Sequence, residues 1–402
     1  MQKYNLLVGQ SGGPTAAINS SLAGVISGAL KSDKIDKVLG AKNGIEGVLD
    51  NKFIELNNID LSLLSQTPSA YLGSCRKKLP KACDNEKIYE QIFSFFKENN
   101  IKCFLYIGGN DSMDTVYKLS SYAKEKNISV SIIGVPKTID NDLDKTDHTP
   151  GFGSAAKYIA TTISEITKDS QVYFLKSVTI VEIMGRHTGW LTAAAGLARN
   201  KYETAPHLIY LPESPFSMDR FISDINMKFE SGINNIIVAV SEGIADENGK
   251  FICEDEENCV LDAFGHKSLS GVGKILENAV KNSIGCKVRS IELNVSQRCA
   301  THILSKTDIE EAFLIGEKGS LLAINGETGK MMIYKRVSNN PYKIEIDSTD
   351  ISKIANFEKK VNQDYIIAGN DIKDELIEYI RPLILGEINI KYENGLPVYL
   401  YI

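Results

Sequence analysis

The 402-residue chain is 43% hydrophobic and 24% charged, with seven cysteines and a formal net charge of -6. That length exceeds one small core and points to two domains, while the acidic balance excludes nucleic-acid binding through a general basic field. No apolar run is long enough to span a bilayer.

The cysteines form no C-x-x-C pair and no zinc spacing, so reduced structural thiols are expected. Tyr4–Val8 reads as a buried strand rather than a leader, which makes a cytoplasmic enzyme the expectation. Gly9–Pro14 follows as a glycine turn and Thr15–Leu30 as an amphipathic helix. Lys37–Ala41 is a second strand, and Asn85–Asn99 a helix with Ile88, Ile92, Phe95 and Phe96 at helical spacing. Then come a strand at Cys103–Ile107, a helix at Ser112–Lys126 and a strand at Val130–Val135.

The alternation continues with helices at Phe152–Thr167, Thr188–Arg199 and Met218–Ser231, and strands at Val178–Ile183, His207–Leu211 and Asn235–Val240. Asp246–Cys259, with its run Glu254, Asp255, Glu256 and Glu257, reads as an exposed loop. Ser268–Asn282 is a predicted helix, Lys287–Leu293 a strand, and Gln297 to about Gly316 a long helical stretch. Leu321–Ile324 and Met331–Lys335 flank Gly326-Glu327-Thr328-Gly329 as an expected hairpin. One helix is expected in the polar tail, at Lys373–Ile380. Strands alternating with helices predict two doubly wound, Rossmann-like α/β domains with the active site in the cleft between them. Residues 1–150 and about 298–320 are expected to form one domain, 151–297 and about 321–340 the other, and 341–402 a C-terminal extension.

The chemistry concentrates between Ile107 and Asp142. Gly108-Gly109-Asn110-Asp111-Ser112 follows one strand, at the C-terminal tip where open α/β sheets bind ligands. Asn110 or Asp111 can hold Mg²⁺ directly or through water; Asp111 or Ser112 can equally cap the next helix. After the following strand, Lys137-Thr138-Ile139-Asp140-Asn141-Asp142 crowds a cation and two carboxylates into one turn. A hydroxyl attacking phosphorus needs a carboxylate to take its proton, and the moving phosphoryl group needs cations around its oxygens.

Gly9-Gln10-Ser11-Gly12-Gly13-Pro14-Thr15 suits an anion at a helix start but ends in no G-K-[ST], so it is not a Walker A loop. Gly151-Phe152-Gly153-Ser154-Ala155-Ala156 matches the dinucleotide fingerprint G-x-G-x-x-A. It lacks the strand that must precede it, so small residues for close packing are the better reading. Met184-Gly185-Arg186-His187 leaves a strand end with a guanidinium able to grip a phosphate, and His187 is read as structural. Arg289, Gln297 and Arg298 add charge and polarity near the last strand of the second domain.

As a set, Ser11-Gly12-Gly13, Leu72-Gly73-Ser74-Cys75-Arg76, Gly108–Ser112, Pro136–Asp142, Met184-Gly185-Arg186, Val240-Ser241-Glu242-Gly243 and Gln297-Arg298 strongly resemble the phosphofructokinase family, over roughly residues 4 to 335. The resemblance implies Mg²⁺-dependent phosphorylation of fructose 6-phosphate at its 1-hydroxyl. By position it makes Asp140 the proton acceptor, with Thr138, Ile139 and Asp142 beside it. Met184, Gly185, Arg186, Glu242 and Arg298 would hold the sugar phosphate, and Gly12, Gly13, Gly109 and Arg76 the donor. Arg289 would act across a subunit interface in a homodimer or homotetramer.

ATP-using bacterial members resemble G-G-D-G-S and P-G-T-I-D-N-D at the two central turns. Asp111 and Lys137 replace a glycine in each. A carboxylate at 111 fills and repels the place of a nucleotide α-phosphate, and Lys137 neutralises pyrophosphate. Like charges about 4 Å apart cost on the order of 1 to 4 kcal/mol. The resemblance is therefore to the pyrophosphate-dependent members, with pyrophosphate and fructose 6-phosphate as substrates; an ATP-dependent enzyme or a catalytically silent regulatory subunit are the alternatives. Asn110 stands where the family usually carries a metal-binding aspartate, and Val295 where bacterial ATP enzymes carry a histidine. Ser177 replaces an arginine that those enzymes contribute to the adjacent subunit, a part that Lys176 can take.

Overall fold

The computed structural model describes residues 3–253, 271–354 and 357–402. The acidic run 254–257 and the start of the helix expected from Ser268 lie outside the described residues.

The first sheet begins with β1 (Tyr4–Gln10), followed by α1 (Ile18–Leu30), β2 (Ile35–Ala41), α2 (Gly44–Leu49), β3 (Phe53–Glu55) and α3 (Leu61–Gln66). Then come α4 (Glu86–Glu98), β4 (Ile101–Gly108), α5 (Asn110–Glu125) and β5 (Ser131–Pro136). β1 pairs in parallel with both β2 and β4, and β4 with β5. These strands are nearly continuous apolar runs because helices cover both faces of the sheet. Leaving β1, the chain turns first toward β2 and later reaches β4 on its other side. The Gly12–Gly13 turn and the Gly109 turn therefore open at the switch point where such sheets bind ligands.

The second sheet has the order β7-β8-β6-β9, all parallel. Its members are α6 (Phe152–Ser170), β6 (Ser177–Ile183), α7 (Trp190–Ala194), β7 (Leu208–Tyr210), α8 (Met218–Glu230), β8 (Asn235–Ser241), α9 (Val272–Ser283) and β9 (Lys287–Glu292). Met184 and Glu242 leave the C-terminal ends of adjacent strands and face the turns of the first sheet.

After a short α10 (Ser296–Cys299), α11 (Lys306–Ile324) packs on α1, β4 and β5. Glycines set that distance. A methyl at Gly24 would lie 1.9 Å from the Phe313 carbonyl oxygen, and one at Gly316 2.0 Å from that of Ser21.

The chain beyond α11 corrects two expectations. Leu321–Ile324 is the last turn of α11 and not a strand, because a four-residue apolar run satisfies either period. The hairpin lies further on, between β10 (Lys330–Asn339) and β11 (Tyr342–Asp350). β10 pairs with β5, so this segment extends the first sheet instead of joining the second domain as residues 321–340 were assigned.

The extension divides between the two domains. Ile372, Leu376, Ile377, Ile380 and Leu383, around α12 (Asp374–Ile380), are buried in the second domain's core with α6 and α7. Ile388 and Ile390 then pack beside Ala16, Ala17 and Ile309, and Leu400 against the first domain.

Candidate active site

Between the sheets lies a cleft of about 620 Å³. Its walls bring together Gly12, Gly13, Arg76, Gly109, Asn110, Asp111, Lys137, Thr138, Ile139, Asp140, Asp142, Met184, Arg186, Glu242 and Arg298. Residues from Gly12 to Arg298 converge because most sit just past the C-terminal end of a strand or at the first turn of a helix, while Arg76 comes from the loop between α3 and α4. Gly185 stands one residue away, donating its N–H to Glu242 Oε1 at 3.2 Å. Arg289 does not reach the cleft; it lies half-exposed on β9, 3.5 Å from Asp169.

Lys137 forms the floor. It is 2% exposed, and its ammonium donates to the Gly13 carbonyl at 2.6 Å. A methyl on Gly12 would come within 3.3 Å of that nitrogen, at a φ of +77° where side chains are disfavoured. Burial pulls the lysine down to about 8, against the attraction of Asp140 and Asp142. The cation is therefore held close to the pH at which it can be lost.

The carboxylates sit beside it. Thr138 Oγ1 donates to Asp140 Oδ2 at 3.2 Å and accepts from the Asp140 N–H at 3.0 Å, a closed local ring that orients the side chain. Thr188 of the second domain donates to the Asp140 carbonyl at 3.1 Å. Burial raises the Asp140 carboxyl above its ordinary range, opposed by the Thr138 hydrogen bond and by Lys137. Burial, with the charge of Asp140 added, pushes Asp142 up to about 7. Burial does the same to Glu242, also to about 7, despite the Gly185 N–H.

Asp111 starts α5 and pairs with Lys78 at 3.1 Å, both half-exposed at the mouth. The sequence reading overlooked Lys78. Asn110 donates its amide to the Phe357 carbonyl at 2.8 Å, which fixes the side chain against the C-terminal extension. His187, read as structural, lines the cleft, and so does Glu358 of the extension. No local motif marks Glu358, since its place depends on tertiary folding.

The G-x-G-x-x-A run is packing. Asp308 of α11 caps the start of α6, accepting from Gly151 N–H at 2.8 Å and from Ser154 N–H and Oγ at 3.0 and 2.6 Å. A methyl on Gly153 would meet the Leu383 carbonyl oxygen at 2.4 Å. A carboxylate occupies the position of a dinucleotide's pyrophosphate.

Mg²⁺ fits this donor set only in part. Among the described residues no cluster of three or more His, Cys, Asp or Glu is placed to cage an ion. Yet Asp142, in the cleft wall, carries a buried Oδ1 with no hydrogen-bond partner. One or two carboxylates completed by substrate phosphates is the usual way Mg²⁺ is held. Among the described residues no helix is long and apolar enough to cross a membrane.

The family model "Phosphofructokinase" matches residues 5–322. The chain is 41% identical over 406 residues to a pyrophosphate--fructose 6-phosphate 1-phosphotransferase of Xanthomonas campestris pv. campestris, covering 99% of this chain and 96% of the relative. A crystal structure of a pyrophosphate-dependent phosphofructokinase from Nitrosospira multiformis superposes with a TM-score of 0.89 at 36% identity, covering 99% of this chain and 96% of that one. One from Marinobacter aquaeolei gives 0.87 at 37%, covering 98% and 95%. With the motifs gathered in one cleft and the match spanning most of its length, the chain belongs to the phosphofructokinase family.

Proposed function

We propose that this protein transfers a phosphoryl group from pyrophosphate to the 1-hydroxyl of fructose 6-phosphate, giving fructose 1,6-bisphosphate and phosphate reversibly. The carrying observation is the enclosed Lys137 ammonium beneath the Gly12–Gly13 turn, next to the Asp140–Asp142 pair. Pyrophosphate has no adenosine to anchor it, so its charge must be met where the chemistry happens. The relatives at 37–41% identity over nearly the whole chain carry the same activity in their names.

Asp140 accepts the proton of the sugar hydroxyl, oriented by Thr138; burial raises its basicity, as helps a general base. Lys137 and Arg76 neutralise the donor, with Gly12, Gly13 and Gly109 letting its oxygens approach the backbone. Met184, Gly185, Arg186, Glu242 and Arg298 hold the sugar phosphate. Asp142, together with Asn110, would hold Mg²⁺, which when bound draws charge from the phosphate oxygens. The half-exposed Asp111–Lys78 pair at the mouth disfavours a nucleotide α-phosphate there.

A homodimer or homotetramer and a cytoplasmic location belong to the same proposal. Val172, Tyr173, Phe174 and Leu175 form an exposed apolar run, with Phe174 98% exposed and Lys287 of β9 over the Tyr173 ring. Such a patch supports an interface that also holds Arg289; light scattering on the purified protein tests it, and a monomer at working concentration argues against it.

Purified protein assayed in parallel with pyrophosphate and ATP, each with Mg²⁺, should form the bisphosphate from pyrophosphate. Turnover with ATP and none with pyrophosphate would overturn the donor assignment.

A further inference from the structure

The turn that carries the chemistry is gripped from outside the stretch that the family model matches. Asn141, fully buried between Asp140 and Asp142, adopts a φ of 54°. Left-handed backbone is tolerated by asparagine but persists only where the surroundings fix it. Here both ends of its amide are held. Nδ2 donates to the Tyr379 hydroxyl at 3.1 Å, and Oδ1 accepts from the Lys359 ammonium at 3.2 Å.

The same two side chains hold the far end of the loop. Lys359 donates to the carbonyls of Thr146 and Asp147 at 3.2 and 2.7 Å, and the Tyr379 hydroxyl donates to Asp147 O as well. The Lys359 backbone completes the contact. Its N–H donates to the Asp142 carbonyl at 2.7 Å, and its carbonyl accepts from Trp190 Nε1 of the second domain at 2.8 Å. A slip of this turn would move both carboxylates at once.

We infer that Lys359 and Tyr379 are positioning residues for the phosphoryl transfer, clamping the Asn141 amide so that the Asp140 and Asp142 carboxylates stay in register with the cleft. The inference rests on the activity proposed above. The Lys359 ammonium is enclosed by the Asn141 amide oxygen and the carbonyls of Thr146 and Asp147. A lysine kept charged in such a place costs desolvation free energy, so its retention needs a gain other than packing. Holding a reactive turn is such a gain, since a misplacement of about 1 Å costs roughly a hundredfold in rate.

Lys359→Met and Tyr379→Phe test the clamp. The first keeps the aliphatic stem; the second removes one oxygen and keeps the ring against Trp190, so it remains informative if Lys359→Met does not fold. With wild type as reference, kcat should fall by about 30-fold and about 5-fold respectively while KM for both substrates stays within about threefold. Amide exchange across residues 141–147 should accelerate roughly tenfold in Lys359→Met without a change in β4. Values of kcat within twofold of wild type, a change confined to KM, or unchanged exchange in 141–147 would each overturn the inference. A wild type inert with pyrophosphate would instead refute the proposed activity, and the exchange measurement would still decide the clamp.

Discussion

Replacing Lys137 by methionine removes the buried cation and keeps the stem. The ammonium is 2% exposed and lies beneath the glycine turn that would carry the donor's oxygens. A unit charge about 4 Å from a phosphate oxygen interacts by about 4 kcal/mol at an effective dielectric near 20, roughly three decades in rate or binding. Salt screens such an enclosed pair weakly. We expect kcat/KM for pyrophosphate to fall by about 10²- to 10³-fold, with fructose 6-phosphate affinity within about threefold. Initial rates of bisphosphate formation, coupled through aldolase to NADH oxidation, measure the first quantity. Calorimetric titration with the sugar phosphate measures the second. A loss below about tenfold, or one lying wholly in sugar-phosphate affinity, would refute the assignment of Lys137 to the donor.

Asp140→Asn should lower kcat by about 10²- to 10⁴-fold and leave fructose 6-phosphate binding nearly intact, as removal of a general base does; unchanged turnover contradicts its role. The kcat/KM profile should peak between about pH 7, where Glu242 ionises, and about pH 8, where Lys137 loses its proton; a flat profile from 6 to 9 argues against these groups. Asp111→Gly should raise ATP use about tenfold, the lower end of a like-charge contact, because Lys78 and solvent already screen that carboxylate. No gain in ATP turnover would remove Asp111 from donor selection. Glu242 is held above its unfolded value, so its contribution to stability is complete below about pH 4.5 and lost as pH rises through 7. Glu242→Gln should thus raise the melting temperature at pH 7.5 by a few degrees while weakening sugar-phosphate binding, and a lowered melting temperature contradicts the desolvation argument.

The candidate site was legible where its residues cluster locally. A cation and two carboxylates after an apolar strand, or glycines at a strand-to-helix turn, carry their meaning within six residues. Even the false dinucleotide fingerprint could be set aside on context, and Asp308 supplies the physical reason. What the sequence concealed is whatever depends on distant packing. The last turn of α11 looks like a strand until α1 lies against it, and β10 has no alternation to distinguish it from any other buried strand. Glu358 reaches the cleft, Lys78 reaches Asp111, and Lys359 and Tyr379 reach Asn141 by tertiary folding alone. A lysine in the charged run Glu358-Lys359-Lys360 looks like solvent-facing surface, and nothing in its neighbours says that it ends on Asn141.

The close seam between α1 and α11 also bears on how the protein is made. The two helices meet backbone to backbone at Gly24 and Gly316, and β10 zips onto β5. A nascent chain that has exposed only its first 150 residues therefore owns five of the sheet's seven strands, with the β5 edge unpaired and one helix face bare. At synthesis rates of roughly 5–20 residues per second, some 200 further residues occupy about 10–40 s. During that interval the apolar faces of α1 and β5 are open to chaperones and to other nascent chains. Slowed translation late in the message should therefore increase aggregation more than slowing near its start.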